Sequence, residues 1–122
     1  METTLLYLGR IIFGGYFIFN GFNHFKMIEM MSVYAKSKGA PMPKFSVAFS
    51  GLLLLVGGLC VLFNFLPMVG LIALVLFLVP VTVIMHAFWT IQDPMAKMGE
   101  MVNFMKNFAL LGAVLILLSQ TF

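Results

Sequence analysis

The sequence predicts an all-α membrane protein: a bundle of four transmembrane helices, with short amphipathic interfacial helices in two lysine-bearing loops. Three observations lead there. Of the 122 residues, 62% are hydrophobic and 9% charged, against about 25% charged in ordinary soluble domains, so a soluble globule of this length could not hide its apolar surface. The apolar residues fall into four runs long enough to cross a bilayer, at roughly 20 residues per crossing. The lysines gather in the two stretches between runs one and two and between runs three and four. One domain over residues 1–122 is expected, with no room for a folded extramembrane unit, and most soluble enzyme folds are excluded.

The first helix is expected from about residue 5 to 25, ending where Lys26 and Glu29 appear. In the stretch that follows, Met27, Met30, Met31 and Tyr34 recur at helical spacing opposite Glu29, Lys36 and Lys38. This reads as a short helix lying at the interface, halted by Gly39, Pro41 and Pro43. The second crossing is expected over about 45–65. Asn64 and Pro67 then mark a turn so tight that the second and third helices form an antiparallel hairpin. The third crossing is placed at about 66–90, with Pro80 kinking it by freeing the carbonyl of Leu76. Asp93 followed by Pro94 is a helix start, an acceptor at the cap and proline at the first position. It opens a stretch with Met95, Met98, Met101 and Met105 that feeds into the fourth crossing, about 104–120.

Four crossings put both lysine-bearing loops on one side and both termini on the other. Lys26, Lys36, Lys38, Lys44, Lys97 and Lys106 lie on the first side, and the only other basic residue is Arg10, within the first helix. By the positive-inside rule the lysine loops face the cytoplasm and the termini face outward. The expected location is the cytoplasmic (inner) membrane of a bacterium or archaeon. Although the net charge is +3, the basic residues form no dense stripe, so nucleic acid is not an expected partner. Cys60, the single cysteine, reads as a small buried hydrophobe and leaves no disulfide or thiolate metal site within one chain. No metal site is expected: the methionine runs read as apolar packing surface rather than a copper relay.

Polar groups inside a membrane segment are costly unless they face the bundle interior or water, so their angles carry information. At 100° per residue, Arg10, Phe13, Gly14, Phe17, Asn20, Gly21 and His24 fall within an arc of about 120°, opposite Ile11, Ile18, Phe22 and Phe25. On the third helix Thr82, His86 and Asp93 are expected to share a face near Trp89, and on the fourth Asn103 and Asn107 are four apart beside Lys106. His24, His86 and Asn107 thus converge on the lysine-bearing end of the bundle, level with Ser46 and Ser50, while Arg10 stands apart near the opposite end. The reading is a partly hydrated pocket roofed by the methionine-lined stretches, with Arg10, Asn20, His24, Thr82, His86 and Asn107 as ligand-binding candidates. The plainer alternative is a set of solvated helix ends, which accounts for Asn23, His24, Lys26 and Asn103. Gly14 and Gly21, and Gly51 and Gly58, recur every seven residues and signal close helix packing.

Among possible chemistries, bis-histidine haem would need His24 and His86 to oppose each other across a macrocycle. Transport would need a polar midplane, whereas helices two and four are apolar there. A quinone needs an apolar channel for its tail, one or two donors for its carbonyl oxygens and a titratable group for the coupled proton. His86 with Asn20 or Asn107 could supply the polar part.

The residues Leu8-Gly9-Arg10 followed by Gly14, Phe17, Gly21 and Lys26, the Gly39-x-Pro41 turn, the Gly57-Gly58 pair, His86-Ala87-Phe88-Trp89, and Phe104-x-x-Asn107-x-x-Leu110-x-Gly112 together resemble the DoxX family. The resemblance covers nearly the whole chain in order. It implies a four-helix bacterial or archaeal membrane protein associated with quinone-linked oxidoreductases, with Arg10, His86 and Asn107 the positions to watch. The expectation is an accessory or membrane subunit that binds a quinone-like cofactor and serves a partner oxidoreductase. Any enzymatic role would be that of a subunit rather than of a stand-alone enzyme. The alternative is a non-catalytic assembly or scaffold protein, and a homo-oligomer is a further expected association. A related family supplies membrane subunits of thiosulfate:quinone oxidoreductase, but the expected lack of an extramembrane domain and of paired cysteines argues against independent thiosulfate chemistry.

Overall fold

The structure is a computed structural model describing residues 1–122. It contains α1 (Glu2–Lys26), α2 (Ile28–Ser37), α3 (Pro43–Phe63), α4 (Pro67–Met85), a 3₁₀ turn (Phe88–Thr90) and α5 (Pro94–Ser119). Four of these segments are long and apolar enough to cross a membrane, and the protein is an all-α, multi-pass membrane protein. Every main helix after α2 begins with proline at its first position, where the missing N–H is no loss. At α5 the Asp93 carboxylate accepts the Ala96 N–H at 2.9 Å, the cap that Asp-Pro foretells. Asn64 closes α3 in the left-handed conformation, and the Phe65 N–H returns to the Cys60 carbonyl at 3.0 Å. The α3–α4 connection is therefore the tight hairpin expected.

The third crossing spans Pro67–Thr90, close to the bounds expected, but its regular helix, α4, ends at Met85, and His86 takes a non-helical conformation. The chain reverses here because two interactions favour it. The His86 ring is held by Glu100 on α5, and Phe88 and Trp89 pack edge-on against Phe104, with centroids 5.4 and 5.7 Å away. Helical spacing therefore cannot relate Thr82 and His86 to Asp93, which caps the next helix instead. The second methionine stretch feeds directly into the fourth crossing, as expected, and forms no separate short helix, since α5 runs unbroken from Pro94 to Ser119.

The crossings pack in series, α1 on α3, α3 on α4 and α4 on α5, with α2 laid against α3. Glycine determines the first two contacts. A Cβ at Gly14 would lie 2.8 Å from the Gly58 carbonyl, and one at Gly21 would lie 2.9 Å from that of Gly51. The heptad glycines of α1 thus meet those of α3 in antiparallel register, giving the backbone approach that membrane helices use in place of a hydrophobic driving force. Gly57 and Gly70 repeat the arrangement between α3 and α4. Phe17, Leu54, Val61, Leu71, Leu74, Leu78 and Val114 form the core. By contrast, α1 and α5 make no close backbone approach; they meet through side chains, as in Lys106 over the Tyr16 ring at 5.8 Å, and leave a cavity between them at the terminal end.

Candidate functional site

The lysine-bearing end holds a cavity of about 440 Å³, reached by α1, α2, α3, α4 and α5, within the usual size of a small-molecule site. Its walls are mainly apolar, with Phe45, Phe49, Leu53, Phe77 and Leu110 among them, and its polar groups include Asn20, His24, Tyr34, His86, Lys106 and Asn107. Pro80 lines it beside Leu76, whose carbonyl the proline leaves without a helical partner.

Each polar group is positioned by its own helix. His24 lies on the buried face of α1, one turn beyond Asn20. Its Nδ1 is 3.1 Å from the Val47 carbonyl oxygen, and its ring stands edge-on to Phe77, with centroids 5.9 Å apart. A carbonyl can only accept, so Nδ1 carries the proton, and Nε2 has no protein partner. The Asn20 amide donates to the Tyr16 carbonyl at 2.8 Å, leaving its oxygen and second N–H uncommitted. Asn107 is buried on α5.

The centre of the polar end is Glu100, which the sequence reading did not single out. It is 7% exposed, and its carboxylate collects donors from three elements. Oε2 accepts the Tyr34 hydroxyl at 2.6 Å and the Lys38 ammonium at 2.7 Å. Oε1 accepts from Asn103 at 3.0 Å and from His86 Nδ1 at 3.2 Å. The cluster ties the interfacial helix α2 to the end of α4 and the start of α5. A buried carboxylate is tolerable only when its lone pairs are satisfied and its charge is paired, and here both conditions are met. Burial, with the Glu100 hydrogen bond second, pushes the Tyr34 phenol up to about 12. His86 resembles His24 in one respect: Nδ1 is committed to an acceptor and Nε2 to none. The signal that could have found Glu100 is its phase, since Glu100, Asn103 and Asn107 are spaced three and four apart and share one face of α5.

Asn20, His24, His86 and Asn107 all line this one cavity. Thr82 does not. It continues the core stripe of Leu71, Leu74 and Leu78, is 5% exposed, and its hydroxyl has no hydrogen-bond partner. Arg10 is also separate, at the far end of α1 in a second cavity with Asn64, Gln120 and Thr121. The remaining salt bridge, Lys44 to Glu29 at 2.8 Å, is exposed on both sides and contributes little.

The DoxX family model matches residues 5–87, which spans α1 to the end of α4. No curated protein and no solved structure matches the chain.

Proposed function

The chain belongs to the DoxX family of membrane proteins, and we propose that it is a membrane subunit of a quinone-linked oxidoreductase system, binding a quinone-like ligand in the lysine-side cavity. The observation that supports this reading is the pairing of two imidazoles with Asn107 around one apolar cavity in a membrane domain. A quinone head needs donors and acceptors at its two oxygens and an apolar path for its tail, and these walls fit both needs. Bound there, a quinone–quinol pair supplies two-electron, two-proton redox chemistry, with the electrons exchanged with the partner enzyme's own centre.

The chain's residues then orient the head and handle protons. The Asn107 amide and the Lys106 ammonium are donors toward a carbonyl oxygen. The Nε2 of His24, with Nδ1 held by Val47, accepts a hydroxyl proton. His86 does the same, and its Nδ1 partner Glu100 stabilises the imidazolium that results. Phe45, Phe49 and Phe77 exclude water. In the same reading the lysine loops face the cytoplasm of a bacterial or archaeal cell and the termini face outward.

Trp89, the only tryptophan, lies three residues beyond the cavity-lining His86, and its fluorescence serves as the readout. Titration of the purified protein with decyl-benzoquinone is expected to quench it saturably, with affinity falling about tenfold, or 1.4 kcal/mol, in His24→Ala and Asn107→Leu. Absence of saturable quenching, with a stable partner protein co-purifying unchanged with both variants, would replace this reading with that of a non-catalytic assembly protein.

A further inference from the structure

The guanidinium of Arg10 presents a physical problem that the lysine-side cavity does not address. Arg10 lies eight residues into α1, about 12 Å along the helix axis, within a spanning segment. It takes no part in the protein's ion pairs, Lys38–Glu100, Lys44–Glu29 and His86–Glu100, nor in its side-chain hydrogen bonds to Glu100 or the backbone. An arginine cannot discharge itself by losing its proton, and an unpaired cation in a membrane segment is costly, so such residues mark a partner.

The surroundings say which kind. Arg10 lines a cavity of about 620 Å³ bounded by α1, by the α3–α4 hairpin and by the end of α5. Its other polar lining is neutral, Asn64, Gln120 and Thr121, and no carboxylate is among the lining residues. The rest is hydrocarbon, including Leu5, Phe13, Ile116 and Leu117. Since α1 and α5 make no close backbone approach and both are spanning helices, the gap between them at this end leads toward lipid. A site with a cationic fork and neutral donors at one end and an apolar, laterally open wall at the other suits a phosphate bearing a hydrocarbon tail. The planar guanidinium matches two phosphate oxygens at once.

We propose that the terminal-side cleft between α1 and α5 is a binding site for an anionic phospholipid, with Arg10 holding the phosphate, the Asn64 and Gln120 amides supporting it, and an acyl chain lying against Phe13, Ile116 and Leu117. The site is at the opposite end of the bundle from His24 and His86 and stands whether or not a quinone binds there.

The test is native mass spectrometry of the whole protein in mild non-ionic detergent, titrated with dioctanoyl phosphatidylglycerol. One lipid per chain is expected, with affinity lowered about tenfold, or 1.4 kcal/mol, in Arg10→Gln. Arg10→Lys, which keeps the charge and loses the fork, is expected to fall between, and Lys97→Gln, exposed on the other side, to bind as wild type does. Ala113→Trp puts a large side chain into the cavity while keeping the Arg10 side chain, and is expected to abolish binding, so the proposal is tested even if Arg10→Gln fails to fold. Millimolar inorganic phosphate is expected not to compete. Equal binding by Arg10→Gln, or by Ala113→Trp, would overturn the proposal. So would equal weakening by Lys97→Gln, and displacement by inorganic phosphate would make this a free-anion site instead.

Discussion

The Tyr34 hydroxyl donates to Glu100 Oε2 at 2.6 Å across 66 positions of sequence. This bond, with the Lys38 ammonium on the same oxygen, fastens the interfacial helix to the bundle. Tyr34 also lines the lysine-side cavity, so one hydrogen bond links the wall of the cavity to the charge that holds its end together.

Removing the carboxylate leaves Tyr34, Lys38, Asn103 and the His86 N–H without their common acceptor. Glu100→Ala is expected to lose about 3–5 kcal/mol, as when one partner of a buried pair is deleted. It is also expected to expose Lys36 and Lys38 to trypsin as α2 detaches. Lys38→Met is expected to cost less, since the Lys38 side chain is 23% exposed. Reversible unfolding in mixed micelles measures both, and an unchanged Glu100→Ala would show that the cluster does not support the fold.

The pH dependence follows from Tyr34. Burial first, and Glu100 second, raise its phenol to about 12 from an ordinary 10. A raised native value means that the folded state keeps a proton the unfolded state gives up. The contribution is therefore complete below pH 10 and is lost as pH rises toward 12. The stability advantage of wild type over Tyr34→Phe is expected to disappear across that window. A difference titration at 295 nm between the two proteins is expected to show the shifted midpoint, and a midpoint near 10 would mean the phenol is solvated.

Backbone contact between α1 and α3 makes Gly58 intolerant of a side chain, because an added Cβ would sit 2.8 Å from the Gly14 carbonyl. Gly58→Ala is expected to destabilise by about 1–3 kcal/mol through overpacking. Gly15, one residue from Gly14, has nothing within 4 Å of an added Cβ, so Gly15→Ala is expected to be neutral or slightly stabilising. Equal effects would mean that helix propensity rather than close packing governs these positions.

Orientation is testable by fusion. A reporter active only outside the cytoplasm, joined after Phe122, is expected to be active, and one joined within the Lys36–Lys44 loop is expected to be silent. The reverse pattern would invert the topology and place the His24 and His86 end outward.

Sequence by itself determined the four crossings, the hairpin at Asn64, the cap at Asp93, the glycine heptads that signal close packing on the first two crossings, and the meeting of His24, His86 and Asn107 at one end with Arg10 at the other. These are local or periodic properties: apolar length, turn chemistry and phase along one helix are written in consecutive residues. Tertiary structure alone decided that Glu100 is the acceptor shared by Tyr34, Lys38, His86 and Asn103, because that site is assembled from three elements whose relative placement no single helix encodes. It also decided that α4 ends at Met85. There a continuing helix would have satisfied the local pattern, and the pull of Glu100 on His86 and of Phe104 on Phe88 and Trp89 favours reversal. Thr82 marks the same boundary. Its spacing suggested a site, and its packing in the stripe of Leu74 and Leu78 put it in the core, because a helix face is polar or apolar only by virtue of what comes to lie against it.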